Sequence, residues 1–239
     1  MSTRVLAASP STVVERRWRP EQLAGVGGLV FLALLIVQNL LKAATNPSNS
    51  ATAAQIVRFA HHDAWSVDLL VVTYVIGFPC LFLFAAGLAQ RCGELEPASK
   101  IWSRLGRSSV TVIAVLFGFV NILQVVIVAT RHELAADHGL AATLWALHNA
   151  VFTINLVAVA GALLGLGRAA TIARLIPRRL GHFLVGGAAL LAIAAAPAVS
   201  EVRGSSILAA GLLGFLCWLV LIAATSLRLV REAAGSSMN

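Results

Sequence analysis

Eight polar residues interrupt the long apolar stretches of this chain: Gln38, Asp68, Tyr74, Asn121, Gln124, His148, Asn149 and Asn155. Asn121 and Gln124 are three positions apart, and His148, Phe152 and Asn155 follow at steps of four and three, so on helices each set shares one face. If the helix of the second apolar run begins early, His61 and Asp68, seven apart, also share a face, with Tyr74 deeper along it. Amides, an imidazole and a carboxylate arranged in this way have the chemistry to orient a small or lipid-like ligand. His148 adds a group that can sense pH or relay a proton, and His148 with Asp68 or Asn149 would be an acid and base pair for work on a lipid or isoprenoid. The plainer reading of the same residues is hydrogen bonding between helices, at about 0.6 to 2 kcal/mol for each contact. His61, His62, His132 and His138 read most simply as histidines of polar loops.

Other chemistries lack their residues. No lysine lies deep in an apolar run, which excludes a retinal Schiff base, and only one histidine is deep, where a di-haem site needs facing pairs. A zinc site needs three or four ligands; His61, His62, Asp63, His132 and His138 would have to converge from two loops, with no H-x-x-x-H pair on one helix to help. H-E-x-x-H and phosphate-binding glycine loops are absent. No cofactor is expected. Cys80, Cys92 and Cys217 form neither a C-x-x-C motif nor an even-numbered framework and read as small buried side chains.

The polar residues are embedded in six apolar runs, at 22–42, 65–89, 108–130, 140–166, 180–200 and 204–227. Each reaches the roughly 20 residues that cross a ~30 Å hydrocarbon layer at 1.5 Å per residue. The composition agrees, with 59% hydrophobic and only 12% charged residues, where soluble domains have about a quarter charged. The chain is therefore read as an all-α, polytopic bundle of six transmembrane helices, 22–228, between an N-terminal tail, 1–21, and a C-terminal tail, 229–239. The first run exceeds the apolar core of a cleaved signal peptide and is read as an uncleaved span. Pro79 should kink the second span. Gly161-x-x-x-Gly165 in the fourth reads as a close-packing face within the molecule.

Basic residues set the expected orientation, because cytoplasmic loops retain them during insertion. Arg4, Arg16, Arg17 and Arg19 precede the first run; Arg91, Lys100, Arg104 and Arg107 follow the second; Arg168, Arg174, Arg178 and Arg179 follow the fourth; Arg228 and Arg231 end the sixth. Only Lys42, Arg58, Arg131 and Arg203 fall on the other side. Both termini are thus expected in the cytoplasm. The net charge of +8 then needs no nucleic-acid partner; the expected partners are membrane lipids and a small or lipid-like ligand. Trp18, Trp65, Trp102 and Trp145 fall near the ends of spans, where the ring favours the membrane interface, and Trp218 lies deep in the sixth. The dominance of arginine over lysine hints at a high-GC bacterium, and so at the bacterial cytoplasmic membrane.

The stretch Trp145-Ala-Leu-His148-Asn149-Ala-Val-Phe152 resembles the start of the fourth helix in bacterial six-helix integral membrane proteins grouped as domains of unknown function. The resemblance implies the six-span architecture and brings no activity with it. The polar groups collect in the outer halves of runs one to four, so the expectation is an outward-opening vestibule between those four helices, with runs five and six as packing support. There the protein would bind, sense or transport its ligand. A membrane-embedded enzyme using His148, or an accessory subunit with no ligand, are the alternatives.

Overall fold

The structure, a computed structural model, describes residues 19–196 and 208–235. Trp18 and most of the N-terminal tail, Pro197 and the end of the fifth apolar run, Arg203 and the start of the sixth lie outside the described residues. Among the described residues there are eight α-helices and no strand. Six are long and apolar enough to cross a membrane: α1 (Pro20–Thr45), α3 (Ala64–Leu95), α4 (Lys100–Ala129), α6 (His138–Ile172), α7 (Arg178–Ala195) and α8 (Leu208–Gly235). Two short helices, α2 (Ala53–His62) and α5 (Arg131–Ala136), lie in the connections, and a 3-10 turn, Pro97–Ser99, leads into α4.

The exterior is what makes this an integral membrane protein. Leu40, Val75, Phe119, Val157 and Ile193 are each more than half exposed, while Asn121, Gln124, His148 and Asn155 are buried. Water would penalise so large an apolar surface; a bilayer is its matching solvent, and polar groups then belong inside the bundle.

The six spans form a closed ring. Each packs against its neighbours in sequence, α1 on α3, α3 on α4, α4 on α6, α6 on α7 and α7 on α8, and α8 returns to pack on α1. The connections from α3 to α4, α4 to α6 and α6 to α7 are short, which makes those neighbours antiparallel. The widest of these contacts, α4 with α6, depends on Gly165: a Cβ there would stand 2.7 Å from Gly106 Cα and 2.8 Å from the Trp102 carbonyl oxygen. Gly161 faces Ser109 in the same crossing, so the Gly161-x-x-x-Gly165 face is used within the chain. Gly214 of α8 plays the same part against the Gly187 carbonyl of α7, 2.6 Å from where its Cβ would be.

At one end of the ring α2 and α5 cover the tips of α4 and α6. Ile56, Ala60, Ile127, Leu134, Ala141 and Trp145 form a small apolar core of their own beneath them. A capping box starts α2: the Thr52 hydroxyl accepts from Gln55 N, and the Gln55 side chain accepts from Thr52 N at 2.8 Å. At the opposite end Arg91 of α3 and Glu232 of α8 pair at 3.2 Å, and Arg228 joins the same carboxylate at 2.8 Å.

Three expectations need correction. The second apolar run extends as one helix from Ala64, but not back to His61. Asp63 caps α2 and precedes α3 with φ −112° and ψ 19°, so the two helices change direction there and His61 and Asp68 share no helical face. Trp145 is no interfacial anchor: it is 3% exposed, beneath α2, with Phe59 against its ring. Third, α8 is more than packing support, because its side chains wall the chamber described next.

Candidate ligand-binding chamber

Between α1, α3, α4, α6 and α8 lies a chamber of about 220 Å³. Helical periodicity explains its lining. Phe31, Leu35, Gln38 and Lys42 of α1 recur at steps of four, three and four and present one stripe to it. Phe152, Asn155, Leu156 and Val159 do the same from α6, and Gly211, Leu212, Phe215 and Trp218 from α8. Phe78 of α3 and Ile113 and Phe117 of α4 complete the wall. From Phe31 to Lys42 the stripe climbs about 16 Å at 1.5 Å per residue.

The stripe changes character along its length. Its deep part is aromatic and aliphatic, with Phe31 edge-on to Phe78 at 6.1 Å and Phe78 against Phe117 at 5.8 Å. Its shallow part, towards α2 and α5, carries the amides of Gln38, Asn39 and Asn155 and the amine of Lys42. Gln38 and Asn155 are buried, and Asn155 Oδ1 has no hydrogen-bond partner among the described residues. Asn39 is exposed and its Nδ2 donates to the Leu35 carbonyl at 2.7 Å. Together with Leu212, 60% exposed, it brings the lining to the lipid-facing surface. Lys42 belongs to the last turn of α1, yet its side chain folds inward. Its Nζ lies 4.4 Å from the Phe117 ring centroid and 5.8 Å from that of Phe152.

The eight residues singled out in the sequence divide between the chamber and its surroundings. Gln38 and Asn155 line it. Tyr74 stands beside it, its ring against Phe78 at 4.5 Å and its hydroxyl donating to the Ala114 carbonyl at 3.1 Å, which ties α3 to α4. Asn121 is buried and spends Nδ2 on the Phe117 carbonyl, 2.8 Å away on its own helix. Gln124 is wholly buried and neither atom of its amide has a partner among the described residues. His148 is stacked on Trp145 at 4.6 Å and 10°, and its Nδ1 shares a hydrogen bond of 3.1 Å with Asn149 Oδ1. It is not part of the chamber lining.

Asn149 has a holding role. Its Nδ2 donates to the Asn49 carbonyl at 3.2 Å, and Trp145 Nε1 donates to the Ser48 carbonyl at 3.0 Å, so two side chains of α6 clasp the α1–α2 connection. Asp68 lies on an exposed face of α3, apart from the chamber. His61 meets His132 edge-on at 5.5 Å across α2 and α5. No group of three or more histidine, cysteine or acidic side chains converges among the described residues.

Sequence reasoning overlooked Lys42, the aromatic wall of Phe31, Phe78 and Phe117, and all of the α8 contribution. Lys42 closes an apolar run and reads there as a boundary charge. The available signal was its spacing: it falls on the same helical face as Gln38, four residues earlier. A second cavity, about 990 Å³, lies at the opposite end of the ring, where Arg168, Arg174, Arg178, His182 and Arg228 surround it with Glu96. Arg174, at φ 59°, makes the left-handed turn that leads from α6 to α7. No protein-family model, curated protein or solved structure matches the chain.

Proposed function

We propose that this integral membrane protein binds a small lipid-like molecule in the chamber between α1, α3, α4, α6 and α8. The observation that carries the reading is the gradient along the α1 stripe, from Phe31 and Leu35 to Gln38 and Lys42, facing Asn155 of α6. An amphiphile has the same gradient: an apolar body and a polar end. Binding sites of this kind are mostly apolar, with a few placed polar groups that fix orientation. The volume exceeds the roughly 150 Å³ of a cavity that admits benzene, so it suits one short chain or the end of a longer one.

The amide-bearing end of the chamber faces outward in this reading, and both termini are cytoplasmic, in the membrane of a bacterium. Support for the orientation comes from the basic residues, since Arg91, Lys100, Arg104, Arg107, Arg168, Arg174, Arg178, Arg179, Arg228 and Arg231 all lie at the other end. His148 stands outside the lining, so a catalytic role for it has no separate support.

Extraction and mass spectrometry of lipids that co-purify with the protein test the proposal. The wild type should retain a discrete amphiphile. Leu35→Trp, which fills the chamber, should lose it, and Val37→Trp, on the exposed face of the same helix, should keep it. Equal retention by Leu35→Trp would sink the chamber as the site.

A further inference from the structure

We infer that the head of the bound molecule is acidic, and that Lys42 is its counter-ion: the ligand class is a single-chain amphiphile with one negative charge, of the fatty-acid type. This rests on the chamber being the ligand site. Near the end of a membrane helix a lysine ordinarily stretches outward to the headgroups. Lys42 does the reverse, laying its Nζ over Phe117 and Phe152 inside the bundle. There it has no carboxylate within ion-pair distance among the described residues; Arg91 and Arg228 pair with Glu94 and Glu232 at the opposite end of the ring. Two aromatic faces attract an ammonium group but leave its hydrogens without acceptors.

The groups around it are complementary to an acid. The Gln38 amide can donate to the second oxygen of a carboxylate held by Nζ. Asn155, whose Oδ1 is unpartnered, has an amide free to turn its Nδ2 towards the same head. A charged amine with one or two amide donors matches a monoanion, and a charge-assisted bond of this kind is about twice as strong as a neutral one. The aromatic floor of Phe31, Phe78 and Trp218 then takes the chain. A neutral alcohol would fill the same volume without neutralising Lys42.

The test compares octanoate with octanol at neutral pH, by titration calorimetry on the full chain in phosphatidylcholine nanodiscs, with empty nanodiscs as the reference. Octanoate should bind about tenfold or more tightly than octanol, the ratio expected of one charge-assisted contact. Lys42→Gln should abolish that preference by weakening octanoate more than octanol, while Lys42→Arg should retain it. Equal binding of the two probes by the wild type, a comparison that needs no variant, overturns the acidic-head assignment and leaves the chamber as a neutral site. Persistence of the preference in Lys42→Gln overturns Lys42 as the counter-ion. Binding of neither probe contradicts the chamber reading itself.

Discussion

Lys42 Nζ stands 4.4 Å above the ring of Phe117, a contact from the last turn of α1 to the middle of α4. That single contact joins the polar and the aromatic parts of the chamber. It places a basic group over the aromatic wall, where an incoming chain and head would meet.

The clasp on the α1–α2 connection is the first point open to measurement. Trp145→Phe keeps most of the buried ring and loses the Nε1 bond to the Ser48 carbonyl, so it should cost about 1 kcal/mol. Trp145→Ala also empties the small core beneath α2 and α5, and should cost about 3 to 5 kcal/mol. Unfolding of both variants in one detergent checks the order. Equal losses would mean that the ring contributes little and the hydrogen bond dominates.

Gln124 gives a prediction of the opposite sign. Its amide is wholly buried between helices with neither atom partnered, and a buried group in that condition costs about 1 to 3 kcal/mol. Gln124→Leu, close in volume, should therefore raise the thermal midpoint of the purified protein. A lower midpoint would show that the amide is satisfied in the membrane and helps to hold α4 in place.

The proposed orientation is tested by reporters. A fluorescent protein that folds only in the cytoplasm should be bright when fused after Asn239. Alkaline phosphatase, active only outside the cytoplasm, should be active when inserted in the α1–α2 connection near Ser50. The reverse pattern would invert the protein in its membrane.

The spans were legible in the sequence because a bilayer imposes length and apolarity on each helix separately, and 65–89 or 140–166 can be read without knowing any partner. The short helices were not. α2 is only ten residues long, and its clearest mark, Thr52 three residues before Gln55, sits in a connection where periodicity is weak. Gln38 and Asn155 could be picked out because amides are rare in apolar runs. Phe215 and Trp218 could not, since an apolar residue facing a chamber and one facing lipid look alike until the ring of helices is closed. Asp68 was placed with His61 by spacing alone, and spacing fails where Asp63 ends one helix and the next begins. Asn149 has the chemistry of a ligand-binding residue, but its Nδ2 is already occupied by the Asn49 carbonyl 100 positions away, a contact no local pattern reveals.

Photolabelling with a diazirine-bearing alkyl acid, followed by peptide mass spectrometry, tests the chamber most directly. Leu35, Phe152 and Phe215, which face the chamber, should be labelled saturably, with competition by unlabelled octanoate. Labelling confined to lipid-facing residues such as Leu40, Leu147 and Ile154, or labelling that excess octanoate leaves unchanged, would contradict the chamber reading.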